Sequence, residues 1–216
     1  MPNRYPAFLV ALIAGSLASG AAFLSGADAM DSRADGAPIR VATAVFAGGS
    51  FLSAEADLDG IEGVLDTVPG YTGGALQRPG QRQVAAGGTG HYEAVRVTYD
   101  PARISYEKLA AEFLRTVDPT DDEGQFCDRG EAYRTAIFVS GESERNGAVT
   151  AVSNAQRALG QEIVTQIHPL TTFWPAEEAY QDYYIRNRTR YAAQRKDCGR
   201  DARVWDIWGQ PSKLTN

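Results

Sequence analysis

The chain has few of the side chains that usually hold zinc, because its 216 residues include two cysteines and two histidines. Cys127 and Cys198 lie far apart in the sequence, and neither belongs to a C-x-x-C motif. The sequence therefore carries no zinc signature, and we expect no bound metal.

Positive charge is also scarce: 21 lysines and arginines stand against 27 aspartates and glutamates, which gives a formal net charge of −6. The sequence has no long basic run, internal repeat or low-complexity tract. Because phosphate binding needs a basic face, we predict that the chain does not bind nucleic acid. A hydrophobic share of 44% and a charged share of 22% are typical of one folded domain with a sizeable core.

The first 29 residues have the organisation of a secretory signal. Arg4 precedes an apolar run at residues 7–24, and small residues then lead to Ala27-Asp28-Ala29. This pattern is typical of a cleaved signal peptide. The run is also close to the length of a single membrane span, so an uncleaved anchor is the alternative. We predict an exported protein, periplasmic or extracellular, with a linker at 30–38 and membrane contact only if residues 1–29 stay attached.

Beyond residue 38 the pattern predicts strands and helices in alternation. Apolar and β-branched stretches predict strands at 40–47, 64–72, 93–99 and 133–140. Apolar residues at helical spacing predict a helix at 105–117, capped by Ser105, and another at 143–159. A last strand is predicted at 162–167, and the chain from 175 onward is predicted to be largely helical. This order fits an α+β fold with helices packed on one sheet.

The junction after the first strand is where we expect the chemistry. Gly48 and Gly49 end the strand, and Ser50 begins a helix. A residue at a helix N-terminus faces unsatisfied N–H groups and the positive end of the helix dipole. This environment stabilises a thiolate, so it is typical of a reactive cysteine.

Eight stretches, spread in order from about residue 41 to 209, resemble the A-type peptide methionine sulfoxide reductases. The resemblance implies a two-layer ferredoxin-like sandwich of the α+β class over residues 39–209, with 210–216 as a tail, and we expect a monomer. The stretches are AGGSFLSAE at 47–55, GYTGG at 70–74, GTGHYEAV at 88–95, DPT at 118–120, QFCDRG at 125–130, YRTAIF at 133–138, FWPAE at 173–177 and DCGRD at 197–201.

The resemblance also implies a reaction. In this family a cysteine thiolate attacks the sulfur of methionine sulfoxide in peptides or proteins, and a carboxylic acid protonates the departing oxygen. The sulfenic acid that results is resolved by another thiol, and a thioredoxin-like or other thiol reductant completes the cycle without a bound cofactor. By resemblance, Ser50 stands at the nucleophile position and Glu93 at that of the acid. Asp128 and Tyr133 match the polar partners of that acid. Phe51 and Leu52 match the walls of the substrate pocket, and Cys198 matches the resolving cysteine.

Three positions depart from the family pattern. Ser50 replaces the cysteine, Leu52 replaces a tryptophan of the pocket, and Gln81 stands where a tyrosine hydroxyl is expected. A serine hydroxyl is a weak nucleophile without an adjacent base, and it has no oxidation step equivalent to that of sulfur. We therefore expect a family member that lacks the standard thiol-dependent reduction. The alternatives are a pseudoenzyme that binds methionine sulfoxide or peptides without turnover, and an interaction domain.

Each candidate residue also has a purely structural interpretation. Ser50 is a favoured N-cap residue, and Glu93 could be a solvated carboxylate. Cys127 and Cys198 could form a disulfide in an oxidising compartment, or Cys127 could be a displaced redox centre that stands in for the lost nucleophile. The other structural interpretations are strand core for Tyr133, a turn for Asp128, and packing under the helix for Phe51 and Leu52.

Overall fold

The computed structural model describes residues 40–209. The predicted signal or anchor at 1–29, the linker at 30–38 and the tail at 210–216 lie outside the described residues. Within residues 40–209, no helix is long and apolar enough to cross a membrane.

Most of the strands form one mixed sheet, in the order β7-β6-β1-β3-β2-β8, while β4 and β5 pair as a separate hairpin. β6 and β7 run parallel, and the other neighbours are antiparallel. The strands of residues 40–209 are β1 (Ala42–Gly48), β2 (Val64–Thr72), β3 (Tyr92–Tyr99), β4 (Gly124–Gln125), β5 (Asp128–Arg129), β6 (Thr135–Val139), β7 (Gln166–Pro169) and β8 (Trp174–Pro175).

One face of the sheet packs against helices. Phe46 on β1 lies opposite Val95 on β3 and Ile137 on β6, and its ring stacks on Phe113 with 4.7 Å between the ring centroids. These side chains belong to one apolar core that also includes residues of α1, α3 and α4. The helices of the described chain are α1 (Phe51–Asp59), α2 (Gln81–Ala85), α3 (Tyr106–Leu114), α4 (Glu142–Leu159), α5 (Tyr183–Arg186), α6 (Arg188–Asp197) and α7 (Arg200–Trp208).

The opposite face of the sheet holds a second, smaller core. Val45, Ala47 and Phe138 alternate with the residues of the first core, and Leu170 and Phe173 from the segment between β7 and β8 pack on them. Both faces of β1 are therefore covered near its C-terminal end, which explains its continuous apolar run. The predicted α+β class and two-layer sandwich are confirmed.

Several predicted elements are shifted. The strand predicted at 133–140 begins only at Thr135, because Tyr133 closes a 3-10 turn at Glu131–Tyr133. The interpretation of Tyr133 as strand core is therefore wrong. The strand predicted at 162–167 lies at Gln166–Pro169 and is followed by β8, so it is not the last strand. The five-residue helix α2 was not predicted. Its N-terminus is stabilised by a hydrogen bond that the Gly80 N–H donates to the Gln83 side chain at 2.9 Å.

Candidate functional site

The loop between β1 and α1 is built on a glycine that no other residue can replace without strain. Gly49 has a φ of +84°, and a Cβ placed there would lie 2.7 Å from the Cβ of Gln125. Gln125 is fully buried and cannot easily move, because its side chain binds the backbone N–H and the carbonyl of Asp118 at 2.8 and 2.7 Å. Gly49 therefore fixes where Ser50 is presented.

We expect Gly49→Ala to lower the free energy of unfolding by ~1–3 kcal/mol, because it combines backbone strain with a clash. Gly141→Ala is the matched control, since Gly141 has extended backbone and open space around its Cβ. Gly141 is the residue before α4, and Gly141→Ala should lower the free energy of unfolding by less than ~1 kcal/mol. Urea unfolding of both variants tests this, and equal losses would contradict the packing argument.

Ser50 occupies the N-cap position of α1, and its carbonyl accepts hydrogen bonds from the N–H groups of Ser53 and Ala54, both at 3.1 Å. Its side chain makes no hydrogen bond to the first turn of α1. Ser50 is therefore the N-cap residue of α1, as the structural interpretation predicted, but its hydroxyl does not cap the helix. The hydroxyl lies instead beside the carboxyl of Glu93, where its hydrogen bond lowers the pKa of that group.

Glu93 is buried, with 2% of its surface exposed, and its Oε2 accepts the Phe51 N–H at 3.0 Å. Burial raises the pKa of Glu93 to about 7, and the nearby Asp128 carboxylate acts in the same direction. Hydrogen bonds from Phe51, Gln81 and Ser50 oppose the shift. The interpretation of Glu93 as a solvated carboxylate is therefore wrong, because the N-terminus of α1 packs over it. Near neutral pH this carboxyl is present in both protonated and ionised forms.

Asp128 and Tyr133 lie close to the same carboxyl. Burial raises the pKa of Asp128, while the charge of Arg200 and the Ser50 backbone N–H act to lower it. Burial also raises the pKa of the Tyr133 hydroxyl, helped by the charges of Glu93 and Asp128 and by its hydrogen bond to Glu93. The fold thus brings together Ser50, Glu93, Asp128 and Tyr133 from three separate segments.

A cavity of about 290 Å³ opens next to this cluster. Ser50, Leu52 and Asp128 line one part of it, and residues of α6 line another. Glu93 contacts this wall through the Ser50 side chain. Phe51 is 1% exposed and packs against Tyr71 and Tyr180, each with 5.6 Å between ring centroids. Of the two predicted pocket walls, Leu52 therefore faces the cavity and Phe51 lies in the core beneath it.

Cys127 and Cys198 form a disulfide, with 5.1 Å between their Cα atoms. Cys127 lies at the tip of the β4–β5 hairpin, next to Phe126, and Cys198 is the C-cap of α6. Both cysteines line the same cavity as Ser50. Because the sequence contains two cysteines, this bond leaves the chain without a free thiol. The structure shows the disulfide of the first interpretation, and the redox role of Cys127 stays a prediction.

Sequence reasoning missed Arg200, which is 2% exposed. Its Nε donates to Asp57 at 2.7 Å, and its terminal nitrogens donate to the carbonyls of Gly48 and Thr116 at 3.3 and 3.0 Å. The guanidinium also lies 4.5 Å over the ring of Phe126. Arg200 therefore ties α7 to the loop that carries Ser50. Its place in the DCGRD stretch was a signal, but its distant carboxylate partner was not visible in the sequence.

The described residues contain no cluster of three or more metal-binding side chains.

A family model described as peptide methionine sulfoxide reductase matches residues 42–211. The chain belongs to this family.

Relatives and solved structures of the family agree with the match. The chain is 50% identical over 167 residues to peptide methionine sulfoxide reductase MsrA 2 of Caulobacter vibrioides, covering 77% of this chain and 85% of the relative. It is 46% identical over 166 residues to MsrA 2 of Rhizobium meliloti, covering 77% and 83%. The crystal structure of reduced Mxr1 from Saccharomyces cerevisiae superposes with a TM-score of 0.66 at 26% identity, covering 70% of this chain and 88% of Mxr1. Methionine sulfoxide reductase A of Corynebacterium diphtheriae gives 0.62 at 28%, covering 71% and 77%.

Proposed function

We propose that this family member binds methionine sulfoxide in peptides at the cavity beside Ser50 and does not reduce it by the thiol chemistry of that position. The observation that carries the proposal is the place of the Ser50 hydroxyl, on the cavity wall and beside the Glu93 carboxyl. A hydroxyl donates one hydrogen bond and accepts others. The Ser50 hydroxyl donates to Glu93 when that carboxyl is ionised. When Glu93 is protonated, its O–H can donate to the Ser50 oxygen instead, and the Ser50 hydrogen is then available for a sulfoxide oxygen.

The rest of the wall suits such a ligand. Leu52 offers an apolar contact for the methyl group, and Asp128 and Gln194 offer polar contacts for the peptide around it. A volume of about 290 Å³ is enough for one long side chain. The names of the relatives, which are reductases of peptide methionine sulfoxide, support the same ligand class.

Electron balance argues against reduction at position 50. Removing the oxygen from a sulfoxide needs two electrons, and a cysteine supplies them by becoming a sulfenic acid. The hydroxyl of Ser50 has no such oxidation step, and the neighbouring Glu93 does not change that. Any residual turnover would need a thioredoxin-like or other thiol reductant acting on a different sulfur.

The setting of the protein is part of the proposal. The pattern of residues 1–29 supports export to the periplasm or the extracellular space, either free or anchored by that segment. The Cys127–Cys198 disulfide is consistent with an oxidising compartment.

Titration calorimetry of the oxidised chain with a methionine-S-sulfoxide peptide tests the proposal, with the unoxidised peptide as the ligand control. We expect binding of the sulfoxide peptide alone. Ser50→Ala should weaken this binding by about tenfold, the loss of roughly one hydrogen bond. Ser53→Ala is the matched control, since Ser53 lines the same cavity from the same helix, and it should leave the binding unchanged because the contact with Glu93 is made by Ser50.

Equal affinity for both peptides would overturn the proposal, and so would equal effects of the two serine substitutions. Absence of any binding would leave the interaction-domain alternative. A thiol-consumption assay on the same preparations tests whether the sulfoxide is reduced at position 50. We expect no turnover that depends on Ser50.

A further inference from the structure

Two sulfur atoms lie on the wall of the proposed binding cavity, although neither is at position 50. Cys127 and Cys198 both line it, together with Ser50 and Leu52. A disulfide that only stapled two segments could lie anywhere on the surface. This one is placed where a bound sulfoxide would meet it.

Cys127 is the cysteine nearest in sequence to a carboxyl of the site. It directly precedes Asp128, whose carboxyl lies at the Ser50 backbone N–H. Because consecutive Cα atoms are about 3.8 Å apart, the hairpin tip holds Cys127 next to the start of α1. Asp128 itself lines the cavity.

Position ranks the two cysteines, whereas charge does not. The Arg200 guanidinium lies over Phe126, the residue before Cys127, but Arg200 is also two residues from Cys198 in the chain. Cys198 lies between the C-terminus of α6 and the start of α7, whose dipoles act in opposite directions on a thiolate. Cys127 directly precedes Asp128, whose carboxyl lies at the Ser50 backbone N–H, so Cys127 is the cysteine held next to position 50. Of the reduced pair, Cys127 is therefore better placed to attack and Cys198 to resolve.

We propose that Cys127 and Cys198, once reduced by a dithiol, reduce the methionine sulfoxide bound in this cavity, with Cys127 as the attacking thiol and Cys198 as the resolving one. The inference rests on the proposed binding function. It supplies a route for electrons that Ser50 cannot provide.

The reaction balances in three steps. An external dithiol first reduces the disulfide and is itself oxidised to a disulfide. The Cys127 thiolate then attacks the sulfoxide sulfur, while Asp128 passes the Cys127 proton to the oxygen. The oxygen moves to Cys127 as a sulfenic acid, and methionine leaves. The Cys198 thiol attacks the sulfenic sulfur, the Cys127–Cys198 bond forms again, and the oxygen leaves as water with the Cys198 proton.

A single-turnover experiment on the full chain tests this. The chain is reduced with dithiothreitol, freed of reductant and mixed with excess methionine-S-sulfoxide peptide. We expect one methionine peptide per chain by mass spectrometry and the loss of both alkylatable thiols. The oxidised chain should form none.

Two variants separate chemistry from folding, because both lose the same disulfide. Cys198→Ser should still form one methionine peptide and leave a sulfenic acid on Cys127 that a 1,3-diketone probe traps. Cys127→Ser should form none. No methionine from the reduced chain would overturn the inference, and so would activity in Cys127→Ser that is lost in Cys198→Ser.

The calorimetry described above distinguishes this failure from failure of the proposed function. Sulfoxide binding without any methionine formation would overturn the redox role and leave the binding role intact. Neither binding nor methionine formation would overturn both.

Discussion

Replacing Asp57 with alanine is expected to lower the free energy of unfolding by ~3–5 kcal/mol, which is the usual cost of removing one partner from a buried ion pair. The Asp57 carboxylate accepts from Arg195 at 2.8 Å and from Arg200 at 2.7 Å. All three side chains are almost completely buried. Without Asp57, Arg195 would keep its ion pair with Asp201, whereas the Arg200 guanidinium would keep its positive charge in a poorly solvated place.

Asp59→Ala is the matched control, two residues further along α1. Asp59 is exposed, and its carboxylate accepts a hydrogen bond from the Tyr184 hydroxyl. We expect its loss to change stability by less than ~1 kcal/mol. Guanidinium chloride unfolding of both variants measures the difference, and losses of similar size would show that Arg200 finds another partner when Asp57 is removed.

The sequence predicted the parts of the fold whose signals are local. β2 lies at the predicted residues 64–72, because an apolar, β-branched run bounded by glycines has few other interpretations. Ser105 caps α3 as predicted, and its hydroxyl accepts the Lys108 N–H at 3.2 Å. A serine followed by helical spacing needs no distant partner to form this cap.

Short elements could not be predicted in the same way. β4 and β5 have two residues each, so neither shows a period that a pattern could reveal. Their hairpin depends on Phe126 with a φ of +56°, which the residue type does not suggest. The position of Cys127 on the cavity follows from this hairpin.

The resemblance predicted which residues form the site, but it did not predict that Glu93 is buried. A carboxylate at the start of a strand is solvated in most proteins, and nothing near Glu93 in the sequence marks it as buried. It is buried because the start of α1 packs over it, and its contact there is with the Phe51 N–H, 42 positions away. The Asp57 ion pairs join residues 138 and 143 positions apart, for which one sequence offers no signal.

Ser50→Cys, made in a Cys127→Ser background, is expected to give thiol-dependent reduction of a methionine-S-sulfoxide peptide where the background alone has none. The start of α1 favours a thiolate at position 50, and Cys198 remains on the same cavity to resolve a sulfenic acid. Adding Glu93→Gln should lower this turnover by ~10²–10⁴-fold, the usual contribution of a general acid. Turnover that survives Glu93→Gln would show that another group protonates the oxygen.

The pH dependence of that gained activity follows from the raised pKa of Glu93. The carboxyl must carry its proton to act as an acid, and its pKa is about 7. The value of kcat/KM should therefore fall as the pH rises through about 7, whereas a carboxyl with an ordinary pKa would already be ionised two to three units lower. The need for a thiolate at position 50 acts in the opposite direction, because it lowers kcat/KM only at acidic pH, where the thiol is protonated. A kcat/KM that keeps rising above pH 7 would mean that Glu93 is ionised during turnover and that its burial in the folded chain serves packing alone.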